Sequence, residues 1–175
     1  MIRVLTSLYL PAVQRSIRII ELTMNQAQVE HAAPVGFRRQ IESMKDGRHH
    51  RHGFDGENEW EFHIQSACAE CATAAALNRH WPAGVNTFKQ PDVTPDIQVR
   101  WRSDPSYDLL VRPGDNPEEK FVLVYGRCPK FQIIGWEIGK DAMQDRHKAN
   151  HGDRPTAYFV KKEFVRPIEE LILKI

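Results

Sequence analysis

Asp92-Val93-Thr94-Pro95-Asp96-Ile97-Gln98-Val99-Arg100-Trp101 is the stretch on which the fold turns. From Asp96 onward it alternates. Asp96, Gln98 and Arg100 share one face, and Ile97, Val99 and Trp101 share the other, as successive residues of a β-strand must. An Ile-Val-Trp face belongs against a core. The opposite face gathers a carboxylate, an amide and a guanidinium, with Asp92 just upstream where the strand leaves a Pro-containing turn. Taken alone, such a strand is most simply the solvated outer face of an antiparallel sheet. The same groups set close together also suit a metal or phosphate site.

Downstream, residues 102–106 read as a turn and 107–112 as a second strand, followed by the turn Pro113-Gly114-Asp115-Asn116-Pro117. Phe121-Val122-Leu123-Val124-Tyr125 is continuously apolar, the pattern of a central strand covered on both faces. After a turn at 126–130, residues 131–139 alternate as a long strand. Strands at this spacing predict an antiparallel meander. Residues 140–150 read as a short helix and 158–160 as a short strand. The apolar segment 168–175 should dock on the body through Leu171, Ile172 and Ile175.

Upstream, residues 60–80 make the clearest helix. Between Ala67 and Leu77 its only charge is Glu70, and helical spacing sets Ala67, Ala74 and Leu77 on the same face. A helix walled with Ala and Cys can approach a sheet closely. A lone carboxylate there must be paired, coordinated or protonated. Pairing with an arginine such as Arg100 is the structural alternative to catalysis. Cys68 and Cys71 lie mid-helix without a second pair, so they read as small core residues. Earlier still, 17–23 reads as a strand. Thr23 and Gln26 match a capping box, so a helix should start near Met24, break at Pro34 and resume over 37–44. Residues 48–58 form a polar loop with His49, His50 and His52, whose spacing matches no standard zinc pattern. His147 and His151 are four apart without the glutamate of a zinc-protease helix, and read as surface residues.

With 175 residues, 41% hydrophobic and 27% charged, the chain suits one α+β (α/β) domain with a mixed, largely antiparallel central sheet flanked by helices. Residues 1–16 read as an N-terminal extension and 17–175 as that domain. A net charge of +1 offers no global field for nucleic acid, so any such footprint must be local. Three cysteines make no disulfide framework and point to a cytoplasmic protein, and no apolar run is long enough to span a bilayer.

A helix bearing a lone glutamate, then an aspartate near a strand start, then Gln-x-Arg on that strand, resembles the PD-(D/E)XK nuclease superfamily. Over residues 60–158 the chain is similar to phage and prophage proteins with that core. The similarity lies in the Val-Arg strand, the Leu-Val-Arg-Pro-x-Asp stretch, the Gly-Trp strand and the late Ala-Tyr-Phe-Val. The resemblance implies a restriction-endonuclease-like sheet and metal-dependent cleavage of DNA. Position by position, Glu70 matches the helical glutamate, Asp92 the aspartate, Gln98 the (D/E) and Arg100 the lysine, with Asp96 as the rival aspartate. It implies one Mg²⁺ or Mn²⁺ held by Glu70, Asp92 or Asp96, the Gln98 side chain and the Val99 carbonyl, while Arg100 steadies the phosphate. Arg38, Arg39, Arg48, Arg51, Lys161 and Lys162 are candidates for the phosphate backbone. Gln98 contributes an oxygen but no charge, and Arg100 cannot accept a proton. The alternative is therefore a catalytically inactive module of the same fold that binds nucleic acid or protein. A zinc-dependent structural protein is a third reading. A homodimer is compatible with all of these, and a membrane partner with none.

Overall fold

A computed structural model describes residues 2–5, 18–47, 58–152 and 154–172. Strand β1 (Ile2–Leu5) lies antiparallel on β2 (Ile19–Thr23), so part of the N-terminal segment joins the sheet. Helix α1 (Gln26–Lys45) follows. Its cap is Asn25, two residues later than the sequence suggested: Asn25 accepts the Gln28 N–H and Gln28 accepts the Asn25 N–H, both at 2.9 Å. The helix does not break at Pro34. Pro34 and Glu30 are both exposed, so water can satisfy the Glu30 carbonyl that loses its N–H partner to proline.

Helix α2 (Glu59–Leu77) combines an acidic first turn, Glu59 and Glu61, with an Ala-rich interior, both favourable to a helix. It stops where Asn78 turns left-handed, φ 54°, and gives its N–H to the Ala74 and Ala75 carbonyls. Gly36 lets α1 and α2 touch, since a Cβ there would sit 2.4 Å from Ile64 Cα. Ala67, Cys68, Ala69 and Ala72 are fully buried.

Then come β3 (Ile97–Arg102), β4 (Leu109–Val111), β5 (Lys120–Arg127), β6 (Lys130–Ile138), a single helical turn α3 (Gly139–Ala142), β7 (Lys148–Ala149), β8 (Ala157–Val160) and β9 (Arg166–Pro167). The main sheet runs β1-β2-β6-β5-β3, with β9 also on β6. It is mixed and largely antiparallel. The meander does not form: β3 lies parallel to β5, and β4 leaves to build a second sheet, β4-β8-β7. A parallel pair needs a long crossover, and the 103–119 excursion through β4 supplies it.

Ile97, Val99 and Trp101 pack with α2 in one core; Phe121, Leu123, Leu109 and Val111 form a second core on the other side. Strand β5 is covered on both faces, as its composition suggested. The predicted helix at 140–150 reduces to α3, a 3-10 turn at Asp145–His147 and β7. Near the C-terminus Ile168 and Leu171 are buried, whereas Ile172 is exposed; Ile175 lies outside the described residues.

Candidate functional site

Glu70 projects from the middle of α2 and is 5% exposed. Its partner is Arg39 of α1, not Arg100. The guanidinium grips both carboxylate oxygens, Nη1 to Oε1 at 2.6 Å and Nη2 to Oε2 at 2.7 Å, while its Nε donates to the Gly84 carbonyl at 2.8 Å. Trp81 Nε1 donates to Oε2 at 3.1 Å. Trp81 and Gly84 belong to the loop after α2, where Ala83 and Asn86 hold positive φ of 51° and 58°. Burial works against the Arg39 charge, but bonding to Glu70 and the charges of Glu70 and Asp92 outweigh it, holding the guanidinium above its ordinary value.

Asp92 completes this side. Among the described residues β3 has one strand, β5, beside it in the sheet, and its Val99 N–H donates to Asp92 Oδ2 at 2.8 Å. Burial first, then the Glu70 charge, push the Asp92 carboxyl up to about 7, against the Val99 N–H, Arg100 and Arg39. Glu70 and Asp92 are thus brought within electrostatic reach of each other.

The remaining candidates lie elsewhere. Ile97, Val99 and Trp101 face α2, so Gln98 and Arg100 face the opposite way. Gln98 Nε2 donates to the Gln90 carbonyl at 3.2 Å, and its side chain bonds Glu119. It lines a cleft of about 340 Å³ with Lys89, Asp115 and Glu119. Arg100 bonds Asp115 at 2.8 Å and the Leu110 carbonyl at 3.1 Å, above the Phe121 ring. Asp96 is ion-paired with Lys120.

A Mg²⁺-class cation takes six oxygen ligands in near-octahedral geometry, commonly one or two carboxylates with water and substrate phosphate completing the shell. Here both Glu70 oxygens are committed to Arg39, one Asp92 oxygen is committed to Val99, and Gln98 is across the sheet. Among the described residues no three His, Cys, Asp or Glu side chains converge. The residues in this arrangement do not fit a divalent cation.

Of the expected phosphate contacts, Arg39 is absorbed by Glu70, Arg38 is exposed on α1, and Lys161 and Lys162 are exposed after β8. Arg48, Arg51 and the histidines of the 48–57 loop lie outside the described residues. His147 is buried beside Phe164, whereas His151 is exposed, its ring against Phe159. The cysteines are core residues: burial first, then Cys128, raises the Cys68 thiol to about 12, and burial first, then Glu70, raises Cys71 to about 11. Arg39 escaped the sequence reading as a partner, yet it follows Val35 and Gly36 at helical spacing, on the stripe that faces α2. Compared with protein-family models, curated proteins and solved structures, the chain finds no match.

Proposed function

We propose that this chain is a non-catalytic binding module on a nuclease-like frame, with nucleic acid, DNA first, as its partner. The observation that carries the non-catalytic half is the bidentate Arg39–Glu70 pair: a guanidinium stands where a nuclease of the resembled superfamily needs a metal ion. Nucleic acid as partner is supported by the resemblance over residues 60–158 and by exposed cations such as Arg38, Lys161 and Lys162. Contacts of this kind are electrostatic and carry no base specificity.

One observation favours a second reading, a Mg²⁺- or Mn²⁺-dependent deoxyribonuclease: Asp92 feels the charge of Glu70, so a cation that displaced Arg39 would meet two carboxylates. A single experiment separates the two. Single-stranded and duplex DNA are incubated with wild type, Glu70→Gln and Asp92→Asn in Mg²⁺, Mn²⁺ or EDTA, and binding is followed by fluorescence anisotropy. The module reading expects no cutting, and binding in EDTA that weakens steeply with salt. Metal-dependent cutting that disappears in both folded variants would install the nuclease. Neither cutting nor binding would remove DNA as the partner.

A further inference from the structure

The face of β3 turned away from α2 carries arginines that the Glu70 pocket does not use. Arg100 and Arg102 lie on it. Because Arg100 Nε donates to the Leu110 carbonyl, β4 must lie against this face. Asp115 then receives both Arg100 Nη2 and the backbone N–H of Arg112, each at 2.8 Å. These bonds bring the Arg112 backbone to the Arg100 guanidinium, and the Arg112 side chain lies close enough for the charges of Arg100 and Arg102 to act on it. Arg154, ahead of β8, lies close enough for its charge to act on Arg102.

Arg100 is satisfied by Asp115 and Leu110. Arg102 and Arg112 are not. The Arg102 guanidinium lies over the Tyr107 ring, 4.9 Å from its centre, and its Nε is buried without a hydrogen-bond partner. The Arg112 guanidinium makes no hydrogen bond or ion pair among the described residues; only its backbone N–H reaches Asp115. Burial, then Arg100, with Asp115 opposing and Arg102 adding, holds Arg112 below its ordinary value. Burial likewise lowers Arg102, opposed by Tyr107, Tyr125 and Asp108 and aided by Arg154. A guanidinium does not lose its proton in a protein. Two half-buried positive charges therefore remain, with Asp108 and Asp115 as the nearby carboxylates and neither bonded to them.

We propose that Arg102 and Arg112 form a phosphate-binding site on the side of the main sheet turned away from α2, beside β4. A carboxylate offers two oxygens, enough for one guanidinium fork. A phosphate offers more, and so can engage two forks at once. Lys162, whose Nζ comes within 3.5 Å of the Pro105 carbonyl, stands on the same side as the 103–107 turn and adds charge at the rim. The ligand is a phosphate group, either free or as the phosphodiester of a nucleic acid. The site does not depend on the reading of Glu70, which lies across the sheet.

The test titrates inorganic phosphate into wild type, Arg102→Gln, Arg112→Gln and, as a control, the exposed Lys130→Gln, by calorimetry. A second arm measures a labelled single-stranded oligonucleotide with phosphate as competitor. Phosphate should bind wild type and the control alike and bind each arginine variant at least about tenfold more weakly, the loss of one charge-assisted bond. An oligonucleotide weakened by the same substitutions and displaced by phosphate identifies nucleic acid as the source, whereas an unaffected oligonucleotide identifies free phosphate. If phosphate does not bind, or binds both variants as tightly as wild type, the site is overturned. DNA binding that survives in both variants would still leave the binding-module reading standing.

Discussion

On the helical face of β3, one buried carboxylate receives two guanidinium bonds and an indole N–H; on the other face, two guanidiniums are half-buried with no carboxylate bonded to either among the described residues. The same strand separates a neutralised pocket from an uncompensated one. The difference teaches where to look for a ligand. A satisfied ion pair in a core holds elements together and gives nothing away, whereas charge left without a partner is available to something outside the molecule.

The largest expected effect comes from breaking the satisfied side. Glu70→Ala leaves Arg39 buried without its anion and should cost about 3–5 kcal/mol in urea unfolding. Adding Arg39→Met to Glu70→Leu should restore most of that loss, because an apolar pair of similar volume avoids the desolvation penalty. A double variant as unstable as Glu70→Ala would show that the pair matters through something other than charge.

A milder perturbation separates the helices that present the pair. Gly36→Ala places a Cβ 2.4 Å from Ile64 Cα and 2.5 Å from the His63 carbonyl, backbone atoms that cannot swing aside. It should cost about 1–3 kcal/mol, and should cost less in the Glu70→Leu/Arg39→Met background, where no paired charges need alignment. Equal costs in the two backgrounds would uncouple the helix contact from the ion pair.

Asp92 makes the helical face sensitive to pH. Its pKa rises from 3.8 in the unfolded chain to about 7 in the fold. Between those values the folded protein keeps a proton that the unfolded chain has released. Stability from this group should therefore fall as pH rises through that window, by at most about 1.4 kcal/mol per pH unit, and level off above it. Unfolding of wild type and Asp92→Asn compared from pH 5 to 8 should show the slope reduced in the variant. Parallel profiles would mean that Asp92 does not titrate in that window.

The smallest effect belongs to the uncompensated face. Arg112→Gln removes a charge from among like charges and should change stability by no more than about 0.5 kcal/mol, in either direction. A loss of several kcal/mol would mean that Arg112 holds the fold and is no reserve for a ligand.

Much of the fold was legible because it rests on local periodicity. The alternation at 97–101, the continuous apolar run at 121–125 and the Ala-rich helix around Glu70 each name their own burial. The parallel β3–β5 pairing was not legible, since regular strand spacing suits a meander as well as a crossover. Pro34 misled because what decides its effect is whether the Glu30 carbonyl faces water, a matter of tertiary placement. The site divided in the same way. Local pattern isolated Glu70 as a carboxylate in need of a partner, but choosing Arg39 over Arg100 required knowing which face of β3 meets α2. Alternation put Arg100 on the face away from the core; the packing of α2 on Ile97, Val99 and Trp101 then put Glu70 out of its reach.

That Glu70 is neutralised by Arg39 and not by a divalent cation is tested most directly by titrating Mg²⁺ and Mn²⁺ into wild type and Glu70→Gln by calorimetry, in chelator-treated protein. No saturable binding in either protein is the expected result. About one equivalent bound by wild type and lost in folded Glu70→Gln would contradict it and return Glu70 and Asp92 to the service of a metal.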